Sequence, residues 1–258
     1  MRRCAHSECR AGRLLALVRR GLHFDGEWFC TAACLADATT RRLASLKPPA
    51  CPLVSPMPPV RLGASLVAAR AISAETLHAA LDAQRVTGQR LGAQLLEMRA
   101  IDETPLTHAL ARQCGVGFLA RVDVASVRRP VADLSRTVVH ALGIVPLCIE
   151  RDGTLRTAVT APLPRMAIAA LQTGTGRRVR PYLVSDGVLV SLLDAYGEAD
   201  VLRVPAGVGR LSAAQAARRI VDGALDGTAA SWQHTWGPGF AWIRIDGAAG
   251  RQDLIVAP

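Results

Sequence analysis

Four cysteines near the start of the chain, Cys4, Cys9, Cys30 and Cys34, form two close pairs twenty residues apart. Soft thiolates grouped this way, in a segment too small to fold on an apolar core alone, suit a structural zinc ion (Zn2+). Reduced thiols, or a disulfide in an oxidising compartment, are the alternatives, and His6 could replace one cysteine. A second set of reactive side chains is written twice. Residues 61–84 and 90–113 agree without a gap at twelve of 24 positions, including Arg61/Arg90, Leu62/Leu91, Gly63/Gly92, Leu77/Leu106, Leu81/Leu110 and Gln84/Gln113. Leucine and alanine matches arise easily in so aliphatic a chain; coincident Arg, Gly and Gln do not. Arginine offers a planar, permanently charged fork for phosphates and base edges, and glutamine both donates and accepts. A tandem duplication fits either a helical repeat or a site for a ligand with two equivalent halves.

The elements that must position these residues can be read from capping and periodicity. Each copy of the phrase reads as a short loop and two helices. Leu66, Val67 and Ile72 begin an apolar stripe, Ser73 is an N-cap, and Leu77 and Leu81 follow at helical spacing; the second copy repeats this with Leu95, Leu96 and Ile101, Asp102 as cap, then Leu106 and Leu110. Two such units make a four-helix block over 61–115. Next, 116–198 reads as a small α/β unit: a helix over 131–142, a hairpin of 144–150 and 155–160 around Arg151, Asp152 and Gly153, a helix over 164–173, a strand over 178–184 and a helix over 185–196. Before the block, a zinc-finger-like domain over 1–46 is joined by a proline-rich linker at 47–60 that no regular element tolerates. After a linker at 199–209, residues 210–258 form a small module. There Ser212 caps an alanine-rich helix, and 240–245 and 253–256 make a β-hairpin. Trp232, Trp236 and Trp242 serve either as its core or as an aromatic docking surface. The fold class is therefore α+β and multidomain.

The doubled phrase, with Arg-Leu-Gly, two aliphatics three positions on, Leu at positions 17 and 21, Gln at position 24 and a five-residue spacer, resembles the MshEN domain, the N-terminal domain of type II secretion and type IV pilus ATPases. The resemblance runs from about residue 61 to 196. It implies a receptor for cyclic di-GMP, a two-fold ligand with two guanines and two phosphates. On that resemblance Arg61 and Arg90 would stack on a base or bond a phosphate, and Gly63 and Gly92 would let backbone approach the ligand. Gln84 and Gln113 would add amide contacts. Leu62, Leu66, Leu77 and Leu81, with Leu91, Leu95, Leu106 and Leu110, would lie beneath the bases. The sequence departs from the family at position ten, where Arg70 and Arg99 replace a glycine expected to be left-handed. The segment around Cys30 and Cys34, a strand leading into a helix, resembles a treble-clef or TRASH-type zinc finger. Cys51, Cys114 and Cys148 have no evident partners.

Composition excludes several classes. The 258 residues are half hydrophobic, enough for a substantial core. The net charge of +10 is nearly all arginine, since Lys47 is the only lysine, and it is spread along the chain, which argues weakly for nucleic acid. No Gly-Lys pair exists, so a P-loop is ruled out. No G-x-S-x-G or H-E-x-x-H motif occurs and the histidines fall singly, so the chain is expected not to be an enzyme. No stretch approaches the length of a membrane span, and the apolar run at 14–18 is too short for a secretory signal. The expectation is a cytoplasmic cyclic di-GMP receptor acting in trans on a secretion or pilus ATPase or another effector. The alternatives are a structural adaptor of such a machine with a degenerate nucleotide site, or a zinc-finger nucleic-acid binder.

Overall fold

A computed structural model describes residues 3–9, 21–48, 61–129, 131, 134–197, 210–248 and 250–257. The apolar run at 14–18, most of the proline-rich spacer with Cys51, and the 199–209 linker lie outside the described residues. The chain is a mixed helix and sheet fold, with three sheets among the described residues.

At the N-terminus, β1 (Leu22–Phe24) and β2 (Glu27–Phe29) pair antiparallel around Asp25 and Gly26, whose φ values of 54° and 75° make the left-handed two-residue turn that an Asp-Gly pair favours. Helix α1 (Ala32–Ala44) follows directly, with the Thr31 hydroxyl accepting from the Cys34 N–H.

The duplicated phrase folds as two helix pairs: α2 (Leu62–Ala68) and α3 (Ala74–Thr87), then α4 (Leu91–Glu97) and α5 (Glu103–Cys114). Ser73 caps α3 by accepting from the Thr76 N–H at 3.0 Å, whereas Asp102 sits at the equivalent cap of α5 without a side-chain bond to it. Leu66, Ile72, Leu95, Ile101 and Leu106 form the block's own core.

The α/β unit contains β3 (Gly117–Phe118), a 3-10 turn (Val124–Val127), α6 (Arg136–Leu142), β4 (Val145–Ile149), β5 (Leu155–Val159), α7 (Arg165–Thr175), β6 (Val179–Leu183) and α8 (Asp186–Ala195). Its sheet runs β3-β6-β5-β4; β4 and β5 are the expected hairpin, and β6 lies parallel to β5 after the α7 crossover. One expectation is corrected. The helix expected over 131–142 begins only at Arg136, because Ser135 caps it, accepting from the Val138 N–H. The two-residue β3, too short to show a period, joins the sheet edge beside β6.

The C-terminal part opens with α9 (Ala213–Leu225), where Ser212 and Gln215 form a reciprocal capping box. A three-stranded meander follows, β7 (Ser231–Gly237), β8 (Phe240–Gly247) and β9 (Gly250–Val256), in place of the two-stranded hairpin expected. Trp232 and Trp236 lie four apart on β7, a spacing that one face of a strand and one face of a helix share, which hid this strand in the sequence. Both faces of the meander are covered. Ile243, Ile245, Trp232 and Trp236 pack with α9 and with Phe24, Phe29, Leu35 and Leu43 of the N-terminal segment, while Phe240, Trp242 and Ile255 pack into the core of the α/β unit. Trp232, Trp236 and Trp242 are all buried, which favours the core reading over an aromatic docking surface.

Candidate functional site

In the tandem block each short helix packs on the long helix of the other copy, α2 on α5 and α4 on α3. This reciprocal arrangement is what a two-fold operation exchanging the copies generates. Arg61 and Arg90 stand at matched positions on that frame, as N-cap residues of α2 and α4, with φ −70° in both and ψ 138° and 144°. Both are exposed, neither side chain bonds its own helix, and among the described residues neither has an ion-pair partner.

The glycines have a packing role. A Cβ on Gly63 would lie 2.6 Å from Leu77 Cδ1 and 3.3 Å from Leu91 Cδ2, so the bare backbone makes room for a leucine of each copy. At Gly92 the nearest atom, Leu106 Cδ2, is 3.4 Å away. Leu66 and Leu95 are wholly buried and Leu106 nearly so, inside the block rather than on an accessible floor; Leu62, Leu77, Leu81, Leu91 and Leu110 are half-buried. Gln84 donates through Nε2 to the Gln89 carbonyl at 2.8 Å and Thr87 donates to Gln94 Oε1 at 3.0 Å, together fixing the spacer between the copies. Gln113 lies half-buried in the last turn of α5.

Position ten of each copy is left-handed, as a glycine there would be: Arg70 has φ 56° and Arg99 has φ 52°. The Arg70 and Ala71 N–H groups bond back to the Val67 and Leu66 carbonyls, both at 2.9 Å, and Arg99 and Ala100 do the same to Leu96 and Leu95. These paired bonds end α2 and α4 in Schellman turns. A left-handed residue with a Cβ costs about 1–2 kcal/mol, here in both copies.

The four cysteines also come together. Their sulfurs all lie within 4.8 Å of one another, with Cys9–Cys30 at 3.5 Å, Cys30–Cys34 at 3.6 Å and Cys34–Cys9 at 3.8 Å. Four sulfurs at about 2.3 Å from a tetrahedral zinc ion are about 3.8 Å apart, close to the three spacings among Cys9, Cys30 and Cys34, so this donor set fits the metal. The Cys30 N–H points at Cys4 Sγ at 3.4 Å. Only Cys34 lies within α1; Cys30 precedes its Thr31 cap. His6 is outside the sulfur set and pairs instead with Asp37 of α1 at 2.5 Å, while Glu8 pairs with Arg41 at 2.6 Å. These two bonds, which spacing alone could not reveal, hold the Cys4–Cys9 loop on the helix. Burial, then hydrogen bonds from neighbouring cysteines, pushes the Cys30 thiol up to about 12, so without a metal this thiol keeps its proton.

No family model matches the chain. Over 131 residues, half of the chain, it is 31% identical to bacteriophage adsorption protein B of Escherichia coli strain K12, and equally to bacteriophage N4 adsorption protein B of Escherichia coli O157:H7. The matched stretch spans only 17% of those relatives' length. Among solved structures, MshE with cyclic di-GMP resembles 53% of this chain and 99% of its own, at 30% identity and a TM-score of 0.42. The N-terminal domain of XpsE resembles 56% of this chain and 99% of its own, at 19% identity and a TM-score of 0.41. No helix among the described residues is long and apolar enough to cross a membrane.

Proposed function

We propose that this chain is a non-enzymatic receptor for cyclic di-GMP, with the tandem block as ligand site and the Cys4, Cys9, Cys30, Cys34 cluster as a structural zinc centre. The observation that carries the reading is the reciprocal packing of the two copies, with Arg61 and Arg90 exposed and without ion-pair partners among the described residues at matched backbone positions. A two-fold ligand with two guanines and two phosphates offers each half of this frame the same group. Each guanidinium supplies a fork for a phosphate or for the O6/N7 edge of guanine. The half-buried leucines, Leu62, Leu77, Leu81, Leu91 and Leu110, would give apolar contact beneath the bases. Loading of the receptor would then be read by a secretion, pilus or motility component in trans.

Isothermal titration with cyclic di-GMP tests this reading. Saturable binding is expected, and it should be lost in Arg61→Ala with Arg90→Ala while the fold is kept. Absence of heat and of thermal shift at high micromolar ligand would sink the receptor claim and leave a structural adaptor. Binding that survives the double substitution would show that the site lies elsewhere.

A further inference from the structure

Eight positions of the duplicated phrase are exposed in both copies, and they separate sharply in character. Five have diverged, among them Ser73/Asp102, Glu75/Thr104 and Ala79/His108. Three are the same, Arg61/Arg90, Ala64/Ala93 and Arg70/Arg99, so the only charged side chains shared between the two exposed surfaces are the two arginine pairs. The second pair is the more informative. Arg70 and Arg99 hold φ of 56° and 52°, a region that disfavours any residue with a Cβ. Glycine or asparagine would make the same Schellman turn with less strain. Among the described residues no ion pair engages either guanidinium, so local stability does not account for the arginine. A strained residue that both copies keep, on a surface where most other positions have changed, points to a function at that position.

We propose that Arg70 and Arg99 are a second pair of ligand contacts, donating to the phosphates of the same two-fold dinucleotide. The proposal rests on the receptor reading above. In each copy the two arginines bracket one short helix, Arg61 before and Arg70 after α2, Arg90 before and Arg99 after α4. Nine residues at a helical rise put them roughly 13 Å apart along the axis, so four permanent cations frame the surface that α2 and α4 present. A ligand with two phosphates related by a two-fold axis needs one such cation on each half, and arginine's fork matches a phosphate in a way a point charge does not.

The test is cyclic di-GMP titration of the full chain against Arg70→Gly/Arg99→Gly, with Arg70→Asn/Arg99→Asn in parallel to keep a side chain suited to the turn. The ligand-free Tm should hold or rise in the glycine variant, while Kd rises about tenfold or more, as loss of charged hydrogen bonds requires. The dependence of Kd on salt should become shallower. A Kd within twofold of the parent in both variants overturns the proposal, and a weakened Kd with an unchanged salt slope overturns the phosphate assignment. The two readings fail differently. If the parent does not bind, both fall; if it binds and requires Arg61 and Arg90 but not Arg70 and Arg99, only the second does.

Discussion

Arg244 and Asp253 face each other across β8 and β9 as a buried ion pair, with Nε 2.9 Å from Oδ1. The same carboxylate accepts from Trp242 Nε1 at 2.8 Å and from the Ser135 N–H at 3.4 Å, and Arg244 also donates to the Gly174 carbonyl at the end of α7. One carboxylate thus joins the C-terminal sheet to the cap of α6, and its partner joins the sheet to α7. The meander is fastened to the α/β unit by polar bonds as well as by the Phe240, Trp242 and Ile255 packing.

Removing one partner leaves the other charge buried and unpaired. Asp253→Leu is therefore expected to lower unfolding free energy by about 3–5 kcal/mol, whereas Asp253→Leu with Arg244→Met should lose much less. Urea denaturation followed by tryptophan fluorescence reads both, and equal losses in the single and double variants would refute the coupling.

Gly63 and Gly92 occupy equivalent places but meet different neighbours, so alanine should separate them. At Gly92 the nearest atom, 3.4 Å away, allows ordinary contact, and the gain in helix propensity should leave Gly92→Ala neutral or more stable by up to about 1 kcal/mol. At Gly63 the added methyl would meet Leu77 Cδ1 at 2.6 Å, forcing a packed leucine aside. Overpacking of this kind costs about 1–3 kcal/mol, so Gly63→Ala should come out the less stable of the two. Thermal melts that rank them the other way would show that Leu77 relaxes freely.

The helices of the repeat and the β4/β5 hairpin were legible because each carries a local signal: Ser73 as cap, Leu77 and Leu81 at helical spacing, and the Asp152-Gly153 turn. What sequence could not convey was long-range. Residues 1–46 read as a small finger of their own, yet Leu35 and Leu43 within them share a core with Ile220, Trp232 and Trp236, nearly two hundred residues later in the chain. Gly63 read as an opening for a ligand because the side chain that fills it, Leu77, is brought there only by the turn at Arg70. Arg70 itself showed the reverse relation. The position reads as left-handed from the family pattern, and the backbone adopts that conformation despite the arginine.

That shared core carries a prediction for the cysteine cluster. Purified chain should hold one zinc ion, and Cys30→Ser or Cys34→Ser should lose it while Cys114→Ser keeps it. Because α1 packs on α9 and shares a core with Trp232 and Trp236, chelation should perturb tryptophan fluorescence and lower Tm, an effect a detached finger would not transmit. The pH dependence has a definite sign. The Cys30 thiol of the metal-free fold is raised to about 12 by burial, so the folded state favours the protonated form. That contribution is fully present below the ordinary thiol range and is lost only as pH rises through it towards 12, leaving metal-free stability flat in this group near neutrality. Zinc requires thiolates, so binding must expel protons and weaken steadily on acidification. Zinc release monitored with a colorimetric chelator between neutral and acidic pH should show that slope, and a pH-independent affinity would exclude thiolate ligation.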